Sequence, residues 1–518
     1  MANRSVFAST NGRLLPKADA LNAHGAPAYA YTKAHALAQL AVTGTFGAMA
    51  YQTPDAELAQ TVALAEAVEP RFLAQTAIYA RRAGHMKDMP AVLLAVLARR
   101  DPALFRAAFG RVVDNGKMLR NFVQVMRSGQ TGRKSLGSAP KAMVQGWLNA
   151  ASDRALLAAH VGNDPSLADV IRMVHPKPAS PEREALFAWF VGRPCNLARL
   201  PGVVQDWLAF RDTGQGAVPD VPFQMLTQLD LSARHWAQIA RRGSWQMVRQ
   251  NLNTFHRHGV FAVARNVEHV AALVRDPQAI SRARVFPYQL MVAAQNVAPD
   301  MPRAIVDALH DAMEIAVQNV PKVAGQVVVC PDVSGSMAGP VTGYRRGATS
   351  AVRHVDVAAL VAAAFQRVNR GCEVLPFDLG VRDVRLEPRD TILTNAGRLA
   401  ALAGGGTRCS APLVWLNARN RAPDLVVFVS DNQSWADAAP GGQGTAMLRE
   451  WDTIKRRNPK ARLVCIDIAP FRTTQAQSRE DVLNIGGFSD AVFGQIAAFA
   501  AGRSGAGFWT REIAAIDI

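Results

Sequence analysis

Asp332, Ser334 and Ser336 occupy alternate positions in the stretch Val327-Val-Val-Cys-Pro-Asp-Val-Ser-Gly-Ser-Met337. Alternate residues of an extended segment project to one side, so one carboxylate and two hydroxyls can converge on a single point. An all-oxygen set of this kind suits a hard divalent cation, Mg²⁺ before Ca²⁺, with waters completing the shell. The apolar run in front of it, bounded by Gly325 and Pro331, reads as a buried parallel strand. Two later segments supply further oxygens. Gly404-Gly-Gly-Thr407 opens onto a helix near 411–419 and offers a third hydroxyl. Leu425-Val-Val-Phe-Val-Ser-Asp431 is a second apolar strand ending in a carboxylate. Open α/β sheets place their ligands at such strand ends. Turn chemistry is the competing account, because Asp, Ser and Gly also close strand-to-helix loops for backbone reasons.

In this order, the D-x-S-x-S segment, the threonine and the second aspartate resemble the metal-ion-dependent adhesion site of a von Willebrand factor A domain. The resemblance implies Asp332, Ser334, Ser336, Thr407 and Asp431 as ligands, and a cation that grips a partner's carboxylate. Catalysis finds less support. The chain has no G-x-x-x-x-G-K-[ST] and no H-E-x-x-H, and Cys409 beside Ser410 has no motif-linked base. Two metal-held aspartates could serve hydrolysis, but the reading adopted is that this is not an enzyme.

Charge is the second informative feature. The 518 residues carry a formal +17, and residues 71–150 hold 14 Lys/Arg against 3 Asp/Glu. Residues 321–518 hold 23 against 18. Basicity concentrated in one stretch is the footprint of a polyanion site, where neutralised phosphates release counterions. A solvated arginine-rich helical surface would give the same count. Within Gly129-Gln-Thr-Gly-Arg-Lys-Ser-Leu-Gly-Ser-Ala-Pro-Lys141, glycines surround Arg133, Lys134 and Lys141 and let a phosphate backbone approach; Arg127 lies just upstream. Five scattered cysteines without C-x-x-C spacing argue for reduced thiols. No run of apolar residues is long enough to span a membrane, and the N-terminal residues lack a signal-peptide core. A cytoplasmic protein is expected.

The elements that must position these groups fall into two patterns. Residues 28–320 show apolar residues at three-to-four spacing, broken often by Gly and Pro. Helices are expected at 58–68, 71–83, 91–100, 115–127, 139–150, 165–174, 181–191, 222–239, 244–255, 260–274 and 302–319. Their succession suggests a degenerate α-solenoid. Beyond Pro321, short β-branched runs at 326–330, 372–377, 425–429 and 462–468 alternate with helical segments, the pattern of a parallel α/β sheet. The expected organisation is an N-terminal extension (1–27), an all-α region (28–322) and a doubly wound, Rossmann-like α/β domain (323–518).

Taken together, the two regions resemble the Ro (TROVE-domain) RNA-binding proteins, bacterial members above all. Met126-Arg-Ser-Gly-Gln-Thr-Gly-Arg-Lys-Ser-Leu136, Asp169-Val-Ile-Arg-Met-Val-His-Pro-Lys-Pro178 and Arg284-Val-Phe-Pro-Tyr-Gln-Leu290 are similar to family segments in the helical part. Gly405-Gly-Thr-Arg-Cys-Ser-Ala-Pro-Leu413 and Phe428-Val-Ser-Asp-Asn-Gln-Ser-Trp435 are similar to its A-domain loops. The resemblance implies a ring of HEAT-like repeats whose ends the A domain joins. It implies a basic outer surface for small noncoding Y-like RNA, a hole for single-stranded RNA 3′ ends, and a monomeric chain. Carried over residue by residue, the RNA contacts are Arg133, Lys134, Lys141, His175 and Lys177, with Arg127 beside them. Arg81, Arg82, His85 and Lys87 are further members of the basic surface without a matching motif. A histidine at a helix end also serves as a cap. At the metal site the expected partner is an exoribonuclease or another protein presenting an acidic group. The loop between Met337 and Asp356 carries Arg345, Arg346 and Arg353 and is expected to extend the basic surface over the metal face. The alternative function is a metal-dependent protein-interaction adaptor in which RNA binding is incidental.

Overall fold

The computed structural model describes residues 15–48, 53–283, 287–317, 320–344, 352–434, 436–437, 444–487, 489–503, 505 and 507–518. Arg345 and Arg346 lie outside the described residues, while Arg353, the third arginine of that loop, is engaged by the Asp356 carboxylate at 2.7 Å. Two compact units divide the chain: Met1–Glu57 with Val317–Ala515, and Leu58–Ala316 with Ile516–Ile518.

The first unit is built on a five-stranded parallel sheet. In chain order, β1 (Ala20–Leu21) and β2 (Pro27–Ala30) precede β3 (Val327–Pro331), β4 (Glu373–Val374), β5 (Leu425–Ser430), β6 (Arg462–Asp467), β7 (Thr473–Thr474) and β8 (Val482–Gly486). The large sheet runs β4-β3-β5-β6-β8, with every neighbouring pair parallel. Continuous β-branched runs form its central strands because both faces are covered: every residue of β3 and β5 is buried. Val328, Cys330, Val426, Phe428, Leu463 and Cys465 share a core with Leu413, Leu416, Leu448 and Trp451 from the helices Ala411–Ala418 and Ala446–Arg457. The helix His354–Val368 packs on β3, and Asp490–Ala500 on β6 and β8. The register pairs Pro331 with Val429. It leaves Asp332 and Asp431 at adjacent strand ends.

Residues 15–48 belong to this unit, whereas the sequence pattern divides the chain at 27/28 and 322/323. β2 pairs antiparallel with both β1 and β7. Tyr29 is fully buried in the sheet's core; its hydroxyl donates to the Pro16 carbonyl at 2.9 Å and accepts the Thr445 N–H. Strands of two and four residues leave no readable periodicity. What places them is a partner far along the chain. The helix Lys33–Thr43 follows, capped by Thr32 and buried along nearly its whole length.

The second unit is helical, as the three-to-four spacing predicts. Gly116–Ser128, Ser138–Ala150, Leu167–Val174 and Pro181–Phe190 lie close to their expected spans. The stretches expected as single helices at 222–239 and 244–255 are each split, into Phe223–Leu226 with Ala233–Arg242 and into Trp245–Gln250 with Leu252–Arg257. Ser232 restarts the chain within the first stretch by accepting the His235 N–H, so local capping overrides the apolar period there, whereas the second stretch breaks at Asn251, whose side chain bonds back to the Met247 carbonyl. Gly202–Thr213, β8 and the shortness of β4 were not legible in the apolar pattern.

His35 gives the first unit an acid sensitivity. Its ring stacks on Tyr31 at 4.0 Å and meets Trp509 edge-on at 5.2 Å, and among the described residues Nε2 makes no hydrogen bond. Full burial pushes the imidazole down to about 3. The unfolded chain therefore binds a proton near pH 6.5 that the folded chain does not take up until about pH 3. Stability contributed by this group is complete above roughly pH 6.5 and falls as pH drops toward the folded value. Chemical denaturation of the wild type is expected to lose about 2 kcal/mol between neutrality and about pH 5 from this residue. The His35→Phe variant should show a correspondingly shallower loss.

Candidate functional site

The carboxyl ends of β3 and β5 bring the sequence-identified oxygens together. Asp332 continues β3, and its N–H reaches the Val429 carbonyl at 2.9 Å. Asp332 Oδ2 accepts the Ser430 hydroxyl at 2.6 Å and Oδ1 accepts the Ser334 N–H at 2.9 Å. Ser334 and Ser336 hydroxyls lie 3.3 Å apart. Asp431 follows β5 directly and accepts the Gln433 N–H at 3.0 Å. The glycine loop is laced to the first loop by Gly335 N–H to Gly405 O (3.0 Å) and Gly404 N–H to Val333 O (2.8 Å). That lacing holds Thr407, itself buried, beside the two aspartate-bearing loops. Gly405 sits at φ 78°, and an added Cβ would stand 2.7 Å from Asp378 Oδ2. Only glycine lets this loop close onto its neighbour.

Asp332, Ser334, Thr407 and Asp431 are all less than 5% exposed. Burial and the nearby Asp431 carboxylate push the Asp332 carboxyl up to about 7. Two carboxylates with three hydroxyls form an all-oxygen donor set, and their mutual repulsion is what a divalent cation would relieve. The residues present fit such an ion.

Several groups that sequence reasoning missed hold this arrangement. Ser430, the last residue of β5, bonds one aspartate and precedes the other; its place at a strand end was the readable signal. Asp437 accepts from the Ser410 N–H, the Ser410 hydroxyl and the Ser434 hydroxyl, and Cys409 N–H donates to Ser434 Oγ at 3.0 Å. This network ties the Thr407 loop to the segment after Asp431. Asn22 donates to the Ser434 carbonyl at 2.6 Å, and Gln433 Oε1 accepts the Ala23 N–H. The N-terminal hairpin thus braces the same segment, a link no local motif announces.

In the helical unit, Arg127, Arg133, Lys134, Lys141, His175 and Lys177 are all exposed. Three left-handed glycines (129, 132 and 137) shape the loop before the helix Ser138–Ala150. The Lys134 side chain lies over Gly129 and the Arg133 guanidinium over Gly137. The same helix carries Lys141 and holds the segment after Leu167–Val174. Gln145 Nε2 donates to the Val174 and His175 carbonyls, and Asn149 Nδ2 to the Lys177 carbonyl at 2.9 Å. One helix therefore brings Lys141 onto the same support as His175 and Lys177. His175 is the left-handed C-cap of its helix, with φ 50°, so its backbone caps while its ring stays exposed. Arg127 ends the helix before the glycine loop. Arg81 is instead held by Asp114 at 2.7 Å, and Arg82 reaches the Arg111 carbonyl. Burial, then Lys117 and Arg81, push the Lys87 ammonium down.

Residues 326–500 match the family model described as the Ro60 vWA domain. The chain is 25% identical over 360 residues to "RNA-binding protein RO60" of Deinococcus radiodurans, spanning 65% of this chain and 66% of that protein. It is 23% identical over 239 residues to "RNA-binding protein RO60" of Caenorhabditis elegans, spanning 44% of this chain and 36% of that one. The matched stretch is thus just short of two thirds of the first relative and about a third of the second. Among solved structures, the Deinococcus radiodurans RO (RSR) protein superposes with a TM-score of 0.61 at 20% identity, over 91% of this chain and 100% of that chain. That likeness establishes the fold.

The lacing of the two loops has a direct test. Gly405→Ala is expected to destabilise the protein by roughly 1–3 kcal/mol, combining a positive φ with a clash against Asp378. Gly397→Ala, where an added Cβ meets nothing within 4 Å, should have no such cost. Thermal denaturation of the two variants makes the comparison.

Proposed function

From a chain whose residues 326–500 form a Ro60-type von Willebrand factor A domain, joined to a helical region of the Ro fold, we propose an RNA-binding scaffold of the Ro type. The observation that carries it is the exposed set Arg133, Lys134, Lys141 and Lys177 with His175, mounted on one helix and the two segments bonded to it or leading into it. Left-handed glycines let a phosphate backbone come close to Arg133 and Lys134, while the braced backbone fixes where Lys141 and Lys177 stand. The relatives named as RNA-binding proteins support the same reading.

The RNA class proposed is a small, structured, Y-like noncoding RNA on this basic surface, together with single-stranded 3′ ends, in RNA processing or quality control. The protein holds RNA rather than cutting it, and it acts in the cytoplasm. Among the described residues no helix is long and apolar enough to cross a membrane. At the other unit, Asp332, Ser334, Ser336, Thr407 and Asp431 would hold Mg²⁺. When bound, the ion supplies a position for a carboxylate of a protein partner such as an exoribonuclease. The buried, cross-braced loops keep the five oxygens in place before the ion arrives.

A second reading, a metal-dependent protein adaptor with incidental RNA binding, is favoured by the multiply braced metal face. Salt dependence separates the two. Arg133→Glu/Lys134→Glu is expected to weaken binding of a small structured RNA at least about tenfold near 0.1 M salt, and to lower the log–log salt slope by about two. Unchanged affinity and slope in filter binding would favour the adaptor.

The metal has its own check. Mg²⁺ at about a hundred times its dissociation constant should stabilise the wild type by about 2.7 kcal/mol. In calorimetric melts, Asp332→Ala should remove that response and retain the folded baseline.

A further inference from the structure

A cavity of 290 Å³ opens over the metal loop, with Ser336 and Asp431 among its lining residues. It lies at the lower edge of the roughly 300–1,000 Å³ that small-ligand pockets occupy, and holds about ten waters' worth of volume. A carboxylate has three heavy atoms and fills only a small part of such a space. Most of the remaining wall is apolar or lacks a polar side chain: Ala48, Pro340, Ala469 and Phe471 line it, and Tyr344 stands at its edge with 61% of its surface exposed. An exposed tyrosine beside a concave apolar wall is the unpartnered feature here. His354 also lines the cavity; it is only 6% exposed, and its Nε2 makes no hydrogen bond among the described residues. A buried imidazole nitrogen without a partner is a polar group waiting for one.

We propose that this cavity is a specificity pocket that takes a bulky apolar side chain next to the acidic residue of a partner protein, with Tyr344 and Phe471 as its walls. The proposal rests on the reading of Asp332, Ser334, Ser336, Thr407 and Asp431 as a cation site that receives a carboxylate. It goes further by naming what must stand beside that carboxylate. An acidic group alone would be chosen by any such site; an acidic group flanked by Phe or Leu satisfies the volume and the apolar wall together. Charge complementarity selects the acid, and apolar burial discriminates among acids.

The test uses the full chain with Mg²⁺ and two fluorescent pentapeptides, Gly-Phe-Asp-Phe-Gly and Gly-Gly-Asp-Gly-Gly, followed by anisotropy. The phenylalanine peptide is expected to bind about tenfold tighter, the gain of burying one large apolar group. Replacing its aspartate with asparagine, or chelating Mg²⁺, should abolish binding. Tyr344→Ser, at an exposed position, should keep Mg²⁺ affinity in calorimetry and binding of the glycine peptide, but lose the phenylalanine advantage. Equal affinity of the two peptides, with Mg²⁺ still bound, would overturn the pocket and leave the cation site standing. Absence of Mg²⁺ binding would overturn both.

Discussion

Two buried carboxylates at neighbouring strand ends are the constraint around which the first unit is organised. Asp332 and Asp431 stand side by side because β3 and β5 are parallel and in register, Pro331 opposite Val429. Neither has the solvent that would ordinarily dilute its charge, and burial with repulsion lifts Asp332 to about 7. Such a pair is costly unless hydrogen bonds and an ion compensate it. The surrounding structure reads as that compensation: Ser430 and the Ser334 N–H on one carboxylate, the Gln433 N–H on the other. The glycine loop that carries the buried Thr407 is stitched to the Asp332 loop by backbone bonds.

Around that pair, support comes in successive layers from increasingly distant parts of the chain. Asp437 links the Thr407 loop to the segment following Asp431. Asn22 and Ala23 then hold that segment from outside. The N-terminal hairpin is in turn anchored by Tyr29 in the sheet's core and by pairing with β7. Two buried acidic groups kept together need rigid supports, and rigidity here is supplied by hydrogen bonds to backbone.

The helical unit solves a different problem, keeping cations apart from acids and open to solvent. Its arginines divide into two populations by partner. Arg81 is committed to Asp114, and Arg120 bonds the carbonyls of Val161 and Asn163. Arg133 and Lys134 lie over the glycines of their own loop, and Lys141, His175 and Lys177 are placed by bonds to backbone rather than to their own charges. A positive patch built this way stays available to a polyanion.

How much of this was legible in the chain follows from the range of each interaction. The five oxygen-bearing residues were readable because each sits at the end of an apolar strand or in a glycine loop, both local signals. The parallel sheet and the helical region were readable for the same reason, as runs of β-branched residues and three-to-four spacing. The breaks at Ser232 and Asn251 went unread because side-chain bonds to the backbone compete with periodicity over only a few residues. The membership of residues 15–48 in the sheet unit, the burial of His35 against Trp509, and the cavity between Tyr344 and Phe471 depend on segments hundreds of residues apart. The sequence by itself determined which groups were on offer: carboxylates and hydroxyls at strand ends and in a glycine loop, and arginines and lysines among glycines. Only the tertiary structure decided which of those groups face each other, because burial, register and long-range pairing are properties of the folded chain and leave no trace in local composition.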